Sequence, residues 1–175
     1  MNWHDLLTDG YGRILEIMER CLDGLTVKDL GWQPHQDCNS IGWLCWHLTR
    51  GQDAQIAALM EEEQLWILKE WHKKFNRPAD PGDVGFGNTP QQVAEFESQE
   101  PQLMLDYLRE TTERTKQYLL SLSDDDLGRE LNEPQWQPLP TVGVRLISIM
   151  SDNLQHAGQA SYVRGLLQGK GWQKF

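Results

Sequence analysis

The chain has 175 residues, of which 39% are hydrophobic and 24% are charged, and its formal net charge is −10. This length and composition are typical of one soluble globular domain with a single hydrophobic core, which we expect to span residues 1–175. The surplus of acidic residues, without a run of basic ones, argues against a nucleic-acid partner and against docking on an anionic membrane surface.

The sequence also bears on cellular location. We expect no signal peptide, because the N-terminus lacks the required charged and apolar regions, and no stretch approaches the roughly 18 apolar residues of a membrane span. The cysteines Cys21, Cys38 and Cys45 are odd in number and form no CxxC pair, which suits a reducing compartment. We therefore expect a cytoplasmic protein.

The first predicted element is an amphipathic helix. Its apolar residues recur at helical spacing, and Gly24 near their end is a suitable terminator. The stripe consists of Leu7, Tyr11, Ile14, Leu15, Met18, Leu22 and Leu25.

A second helix is predicted to begin behind Asn39 or Ser40, either of which can serve as its N-cap. His47 lies on the flank of its apolar stripe, and Gly51 one turn later leaves the imidazole without a neighbouring side chain on that side. Trp43 and Trp46 flank His47 in sequence and are candidates for the wall of a pocket. The stripe comprises Ile41, Leu44, Cys45, Leu48, Ile56 and Leu59.

The connection to the third helix is long. Residues 61–74 predict a short extra helix, and Thr89-Pro90 begins another that runs through Phe96. Between them, residues 76–89 contain two prolines and three glycines, which predict an irregular loop. A loop of this length within a compact domain is either functional or a tolerated insertion.

The third long helix is predicted to begin at Glu100-Pro101, and the fourth near Pro140-Thr141, with its end at Gly169. A capped turn at residues 123–127 and an extended link over 133–140 join the two. Four amphipathic segments without an alternating strand pattern predict an all-α four-helix bundle with a long loop and short extra helices between its second and third helices. The last two stripes are Met104, Leu108, Thr111, Thr115, Leu119 and Leu122, and then Val142, Leu146, Ile149, Met150, Leu154, Ala157 and Leu167.

The clearest functional signal is the pair Asp152 and His156, four residues apart in the predicted fourth helix. Side chains at this spacing project from one helical face, so a carboxylate oxygen and an imidazole nitrogen can converge. His47 on a neighbouring helix would complete a set of three ligands and leave a divalent metal with an open coordination position. An ionised aspartate facing a bundle interior also needs a partner, which a cation would supply.

Spacing alone leaves a structural alternative open for these residues. A histidine on an apolar flank is commonly bonded to a carbonyl oxygen, and Asp152 could form an ion pair with Arg145, seven residues earlier on the same side. Arg145 has two candidate roles of its own. It either binds an anionic group of the substrate or cofactor, or it forms a structural salt bridge.

Two segments resemble the DinB-like superfamily, which includes mycothiol-dependent maleylpyruvate isomerases and bacillithiol transferases. They are Asn39-Ser-Ile-Gly-Trp-Leu-Cys-Trp-His47-Leu-Thr-Arg50 in the second helix and Asp152-Asn-Leu-Gln-His156-Ala-Gly-Gln159-Ala-Ser-Tyr-Val-Arg164 in the fourth. The resemblance implies a four-helix bundle with a metal site of three residues, commonly all histidine. His47 and His156 match this set, and Asp152 stands where many members have histidine and some have a carboxylate.

The same resemblance implies a metal-dependent thiol S-transferase or thiol-dependent isomerase that acts in detoxification on a small electrophilic substrate. Its cofactors would be a divalent metal, zinc or nickel, and a low-molecular-weight thiol whose pKa the ion lowers. Metal-dependent hydrolysis is the first alternative, although the sequence offers no general base beyond the ligands. A non-enzymatic metal-binding stress-response protein is the second. A homodimer that buries surplus tryptophan surface is a further expectation.

Overall fold

Nine α-helices form among residues 1–173, the part of the chain that the computed structural model describes. No β-strand forms within this part of the chain, which confirms the all-α prediction. In chain order the helices are α1 (Trp3–Leu22), α2 (Val27–Leu30), α3 (Ile41–Met60), α4 (Leu65–Leu68), α5 (Trp71–Lys74), α6 (Pro90–Ala94), α7 (Pro101–Ser121), α8 (Asp124–Leu127) and α9 (Val142–Gln168), followed by a 3₁₀ turn at Lys170–Trp172.

The long helices α1, α3, α7 and α9 form the predicted bundle. Helix α1 contacts α7 and α9, and α3 contacts the same two helices, so the four surround one core. Within residues 1–173, no helix has an apolar stretch long enough to cross a membrane. Core side chains with at most 1% exposure include Tyr11, Ile14, Leu44, Leu48, Leu108, Leu119, Leu146 and Ile149.

Side-chain caps determine where the helices begin. Ser40 is the N-cap of α3, and its hydroxyl accepts a hydrogen bond from the Trp43 N–H at 3.2 Å. Thr141 caps α9 in the same way. Helix α1 ends at Leu22, and Gly24, the predicted terminator, follows with φ +71°.

The short helices differ from the prediction in number. Residues 61–74 form α4 and α5 rather than one helix, because Glu70 between them adopts a left-handed conformation with φ +53°. Helix α2 has no counterpart among the predicted elements, and a capping box between Thr26 and Asp29 stabilises it. Residues 76–89 contain neither helix nor strand, as predicted.

One predicted core position is wrong. Leu154 belongs to the predicted stripe of the fourth helix but is 42% exposed. Asn153 takes the buried position instead, and its amide donates a hydrogen bond to Gln52 Oε1 at 2.6 Å. Gln52 in turn donates to the Thr115 hydroxyl at 2.7 Å. This chain of buried polar groups joins α9 to α3 and α7, which explains why a polar residue occupies a core position.

A buried ion pair in α3 connects the bundle to the segment that follows. Arg50 and Asp53 are at most 1% exposed, and the guanidinium lies 3.4 Å from the carboxylate. Asp53 accepts hydrogen bonds from the N–H groups of Leu65 and Trp66, both at 2.9 Å, and from the Tyr107 hydroxyl at 2.7 Å. The carboxylate therefore caps the N-terminus of α4, while Arg50 and Arg114, whose Nη1 lies 3.6 Å from Asp53 Oδ1, balance its charge.

Arg50 also anchors the irregular loop. Its Nε donates to the Asp83 carbonyl oxygen at 3.1 Å, and its Nη2 donates to the Pro81 carbonyl oxygen at 3.1 Å. Arg77 adds an ion pair with the Asp83 carboxylate at 2.7 Å. The loop thus has no regular hydrogen bonding of its own, but α3 holds it through buried donors.

Replacing Asp53 by alanine leaves the Arg50 charge buried without its counter-ion. We expect the free energy of unfolding to fall by about 3–5 kcal/mol, as measured by urea denaturation followed by circular dichroism. Tyr107→Phe removes the hydroxyl that donates to Asp53 at 2.7 Å and accepts from Arg50 at 3.2 Å, and it should lower the same quantity by about 1–3 kcal/mol. The control Asp9→Ala breaks the exposed ion pair with Arg13 and should change the unfolding midpoint little. Equal midpoints for Asp53→Ala and Asp9→Ala would contradict this account.

Candidate metal centre

Helices α3 and α9 bring His47, Asp152 and His156 together at the seam between them. One ligand atom from each residue lies within 4.8 Å of the other two, and we call this group the cluster. The ring centroids of the two histidines are 4.7 Å apart, with the ring planes inclined at 75°. The three predicted ligands, which are distant in the sequence, are therefore neighbours in the fold.

The spacing of His156 and Asp152 suits two ligands of one small cation. His156 Nε2 and Asp152 Oδ1 are 3.4 Å apart. Two ligands of a tetrahedral ion with bonds of about 2.1 Å would be separated by about 3.4 Å. Two imidazole nitrogens and one carboxylate oxygen are also a donor set that divalent transition metals prefer. The residues present therefore fit a divalent metal.

In each histidine of the cluster, a hydrogen bond made by Nδ1 orients the imidazole ring. His47 Nδ1 lies 2.5 Å from the Val84 carbonyl oxygen, and since that oxygen can only accept, Nδ1 carries the proton. His156 Nδ1 donates to Gln159 Oε1 at 2.8 Å. Both Nε2 atoms are thus left as the candidate ligands, and their orientation depends on Val84 and Gln159.

The surroundings of His47 are tightly constrained. The Trp43 ring stacks on the imidazole, with centroids 4.6 Å apart and planes inclined at 17°. On another side is Gly85, which has φ +84° and therefore adopts a conformation that favours glycine. A Cβ on Gly85 would lie 2.8 Å from the Trp46 ring, 3.0 Å from Trp43 and 3.1 Å from His47 Nδ1. Only glycine allows the loop to approach this closely.

The opposite side of the cluster is accessible. The Asp152 side chain is 48% exposed and that of His156 is 16% exposed. A Cβ on Gly51, one turn after His47, would meet no atom within 4 Å. Among residues 1–173, no fourth histidine, cysteine, aspartate or glutamate joins the three. An ion held here would keep a position open toward solvent.

The protonation states of His47 and Asp152 favour a cation, whereas that of His156 opposes it. Burial lowers the pKa of His47, which keeps its imidazole neutral. The hydrogen bond from His156 lowers the pKa of Asp152, which keeps the carboxylate ionised. Burial also acts to lower the pKa of His156, but its hydrogen bonds with Asp152 and Gln159 and the charge of Asp152 raise this pKa overall. A metal would have to displace that proton.

The structural alternatives considered from the sequence have different outcomes. The alternative in which Asp152 pairs with Arg145 is wrong. Arg145 instead forms an ion pair with Glu133 and donates a hydrogen bond to Gln55 Oε1 at 3.0 Å. The segment before α9 folds back and places Glu133 beside the guanidinium. His47 is bonded to a carbonyl oxygen, as the alternative predicted, but the bond involves Nδ1 and leaves Nε2 as its candidate ligand atom.

Sequence reasoning missed the residues that orient the ligands. Gln159 follows His156 by three residues, a spacing that places both on one helical face and could have suggested the contact. Gly85 stands in a glycine-rich loop, which is a weaker signal. Val84 contributes a backbone oxygen, for which no side-chain pattern exists.

Known proteins are similar to this chain in sequence and in fold. Residues 12–160 match the DinB superfamily, and this range contains the whole cluster. A crystal structure described as a conserved protein from Enterococcus faecalis is similar over 97% of this chain and 99% of that chain, with 34% sequence identity and a TM-score of 0.89. No curated protein matches the chain. The family resemblance inferred from the sequence is confirmed.

Replacing His156 by alanine removes one of the three candidate ligands. We expect zinc affinity to fall by at least about 100-fold, more than the loss of an outer partner would cause, in competition titrations against a chromophoric chelator. The matched control is His35→Ala, because His35 pairs with Asp37 at the same 3.4 Å distance on an exposed loop. Equal zinc affinities for the two variants would argue against the cluster as a metal site.

Replacing Gly85 by alanine tests the orientation of His47. The added Cβ would displace the loop from His47 and the two tryptophans, so we expect zinc affinity to fall by about 10–100-fold. Gly87→Ala introduces the same kind of backbone strain, since Gly87 has φ +79°, but its Cβ meets no atom within 4 Å. A similar loss in both variants would attribute the effect to loop strain instead of to the contact with His47.

Proposed function

Because the chain belongs to the DinB superfamily, we propose that it binds a divalent cation through His47, Asp152 and His156 and uses it in a thiol-dependent transfer or isomerisation. The observation that carries this proposal is the convergence of two imidazoles and one carboxylate at a seam that is open on one side. Three protein ligands with an open fourth position are typical of catalytic zinc sites, whereas structural sites are closed.

Each residue of the cluster has a distinct role in this proposal. His47 and His156 present Nε2 as neutral donors, because Val84 and Gln159 hold their Nδ1–H groups. Asp152 supplies the one negative charge of the set. A divalent cation held there supplies a Lewis acid that lowers the pKa of a thiol. Since Asp152 neutralises only one of its two charges, the site retains a positive charge that favours an anionic sulfur.

Zinc and nickel are the proposed ions. Both accept imidazole and carboxylate ligands, which are the donors of this cluster. Two histidines and one carboxylate also hold iron(II) in other proteins. Elemental analysis of protein purified without an affinity tag distinguishes the three.

The two alternative functions are less well supported. Hydrolysis needs a general base beside the ion, and within residues 1–173 no further carboxylate or histidine joins the cluster. A non-enzymatic metal-binding protein would favour a closed coordination shell, whereas the Asp152 side chain is nearly half exposed. Thiol chemistry needs only the open position and an external nucleophile.

The remaining expectations agree with this proposal without being needed for it. All three ligands come from one chain, so the chemistry does not depend on the expected homodimer. A reduced thiol cofactor suits the expected cytoplasmic location, where thiols are kept reduced. The substrate is a small electrophile.

A conjugation assay tests the activity. Zinc-loaded or nickel-loaded protein is mixed with glutathione, mycothiol or bacillithiol and with 4-nitrobenzyl chloride, whose chloride the sulfur displaces as a carbon–sulfur bond forms and the thiol proton is released. With at least one thiol we expect a rate above the uncatalysed reaction. Removing the metal with a chelator, or replacing Asp152 by alanine, should return the rate to background, whereas His35→Ala should keep it.

Two outcomes would reject the proposal. One is conjugation no faster than background with every thiol and either metal. The other is metal-dependent turnover of 4-nitrophenyl acetate without any thiol, at a rate that thiols do not raise, which would favour hydrolysis.

A further inference from the structure

A cavity of about 500 Å³ lies where the segment before α9 folds back along the first turns of that helix. Its wall consists of Trp136, residues 138–140, Val144, Arg145 and Ser148, and we call it the 136–148 cavity. Small-molecule sites have volumes of about 300–1,000 Å³ and mainly apolar walls. The 136–148 cavity agrees with both properties, since Arg145 and Ser148 are the polar side chains of its wall.

The cavity and the cluster share one face of α9. Ser148 precedes Asp152 by four residues and Val144 precedes it by eight, so their side chains project to the same side. With a rise of about 1.5 Å per residue, Ser148 lies about 6 Å from Asp152 along the helix axis. The cavity wall and the cluster are therefore separated by about one helical turn along α9.

Helix α3 leaves space between the cavity and the cluster. Gly51 lies one turn after His47 and one turn before Gln55, whose Oε1 accepts the hydrogen bond from Arg145. A Cβ on Gly51 would meet no atom within 4 Å. On the α3 side of the seam, no side chain at position 51 separates the cluster from Arg145.

Trp136 is unusual among the tryptophans of this chain. All eight lie within residues 1–173, and seven are buried or partly buried, whereas Trp136 is 59% exposed. An exposed indole offers a large flat apolar face at a low cost in conformational entropy. Because this face belongs to the wall of a cavity, it is suited to an aromatic or apolar ligand.

The charge of Arg145 in the cavity wall is paired with that of Glu133. Arg145 forms an ion pair with Glu133, and the two side chains are only 21% and 27% exposed. Partial burial weakens solvent screening, so Glu133 offsets most of the attraction that Arg145 would exert on an anion. The wall therefore presents apolar surface beside the Arg145 guanidinium, whose charge is paired with Glu133.

We propose that the 136–148 cavity binds the uncharged aromatic or apolar part of the electrophilic substrate, and that Glu133 sets this preference by neutralising Arg145. The identity of the ligand as the electrophile rests on the function proposed above. Glu133 is a specificity-determining residue that acts through Arg145. Its removal should shift selection toward anionic ligands.

A second cavity, of about 460 Å³, provides the comparison. It includes Cys38, Leu44, Gln159 and Tyr162, and its wall contains no charged side chain. It lies beyond His156 along α9, on the side of the cluster away from the 136–148 cavity. Tyr162 is 70% exposed and is therefore a matched aromatic counterpart of Trp136.

Equilibrium dialysis of the protein without added metal tests the proposal with two nitroaromatic probes of similar size, so that no bound cation attracts the anionic probe. They are uncharged 4-nitroanisole and anionic 4-nitrobenzenesulfonate, both quantified by absorbance. We expect the wild type to bind the uncharged probe about tenfold more tightly than the anion. Glu133→Gln leaves Arg145 unpaired and should reduce this ratio to about one or reverse it.

Two aromatic variants locate the bound probe. Trp136→Ala should weaken 4-nitroanisole binding about fivefold, and Tyr162→Ala should leave it unchanged. Loss of binding in Tyr162→Ala alone would place the probe in the second cavity and overturn the proposal. An unchanged preference in Glu133→Gln, or no saturable binding of 4-nitroanisole by the wild type, would overturn it as well.

The probe measurements do not depend on turnover. Probe binding as expected, together with no thiol conjugation, supports the cavity and rejects the proposed function. Conjugation together with unchanged probe binding in Trp136→Ala supports the function and rejects the cavity.

Discussion

The buried pair of Arg50 and Asp53 is the interaction on which the rest of this structure depends. Two charges without access to water are tolerated only when hydrogen bonds satisfy both, and here each is bonded on several sides. Asp53 binds the first N–H groups of α4, and Arg50 binds carbonyl oxygens of the loop over residues 76–89. Hydrogen bonds from a buried side chain of α3 thereby hold the loop over residues 76–89. The conformation of this loop depends on the buried charge pair instead of on regular secondary structure.

The attachment of the loop to Arg50 also affects the cluster, because the same loop contacts His47. The loop held by Arg50 carries Val84, whose carbonyl oxygen accepts a hydrogen bond from His47 Nδ1, and Gly85, which allows the close approach. Outer partners of this kind orient metal ligands and fix their tautomers. The ion pair therefore positions the loop, and the loop in turn orients the His47 imidazole. A substitution at Arg50 could alter the cluster although no atom of Arg50 belongs to it.

Much of this arrangement was predictable because it is local. Helical periodicity identifies the four long helices, and the four-residue spacing of Asp152 and His156 is a property of a single helix. The approach of His47 depends on how two helices align. Its position on the flank of an apolar stripe made the approach possible, and the family resemblance agreed with it. The partner of Arg145 was not predictable, because Glu133 reaches it only after the preceding segment folds back. Leu154 was misplaced because hydrophobicity alone does not reveal that the buried position belongs to Asn153.

The buried chain of hydrogen bonds from Asn153 through Gln52 to Thr115 has a consequence for the neighbouring Asp152. Asp152 and Asn153 are adjacent in α9, with one directed to the seam and the other to the core. Successive residues of a helix are rotated by about 100°, so a rotation of α9 that freed Asn153 from Gln52 would also swing Asp152 and His156 away from His47. The buried polar contacts of Asn153 thus fix the rotation of α9 about its own axis. Their value to this molecule lies in angular accuracy more than in stability.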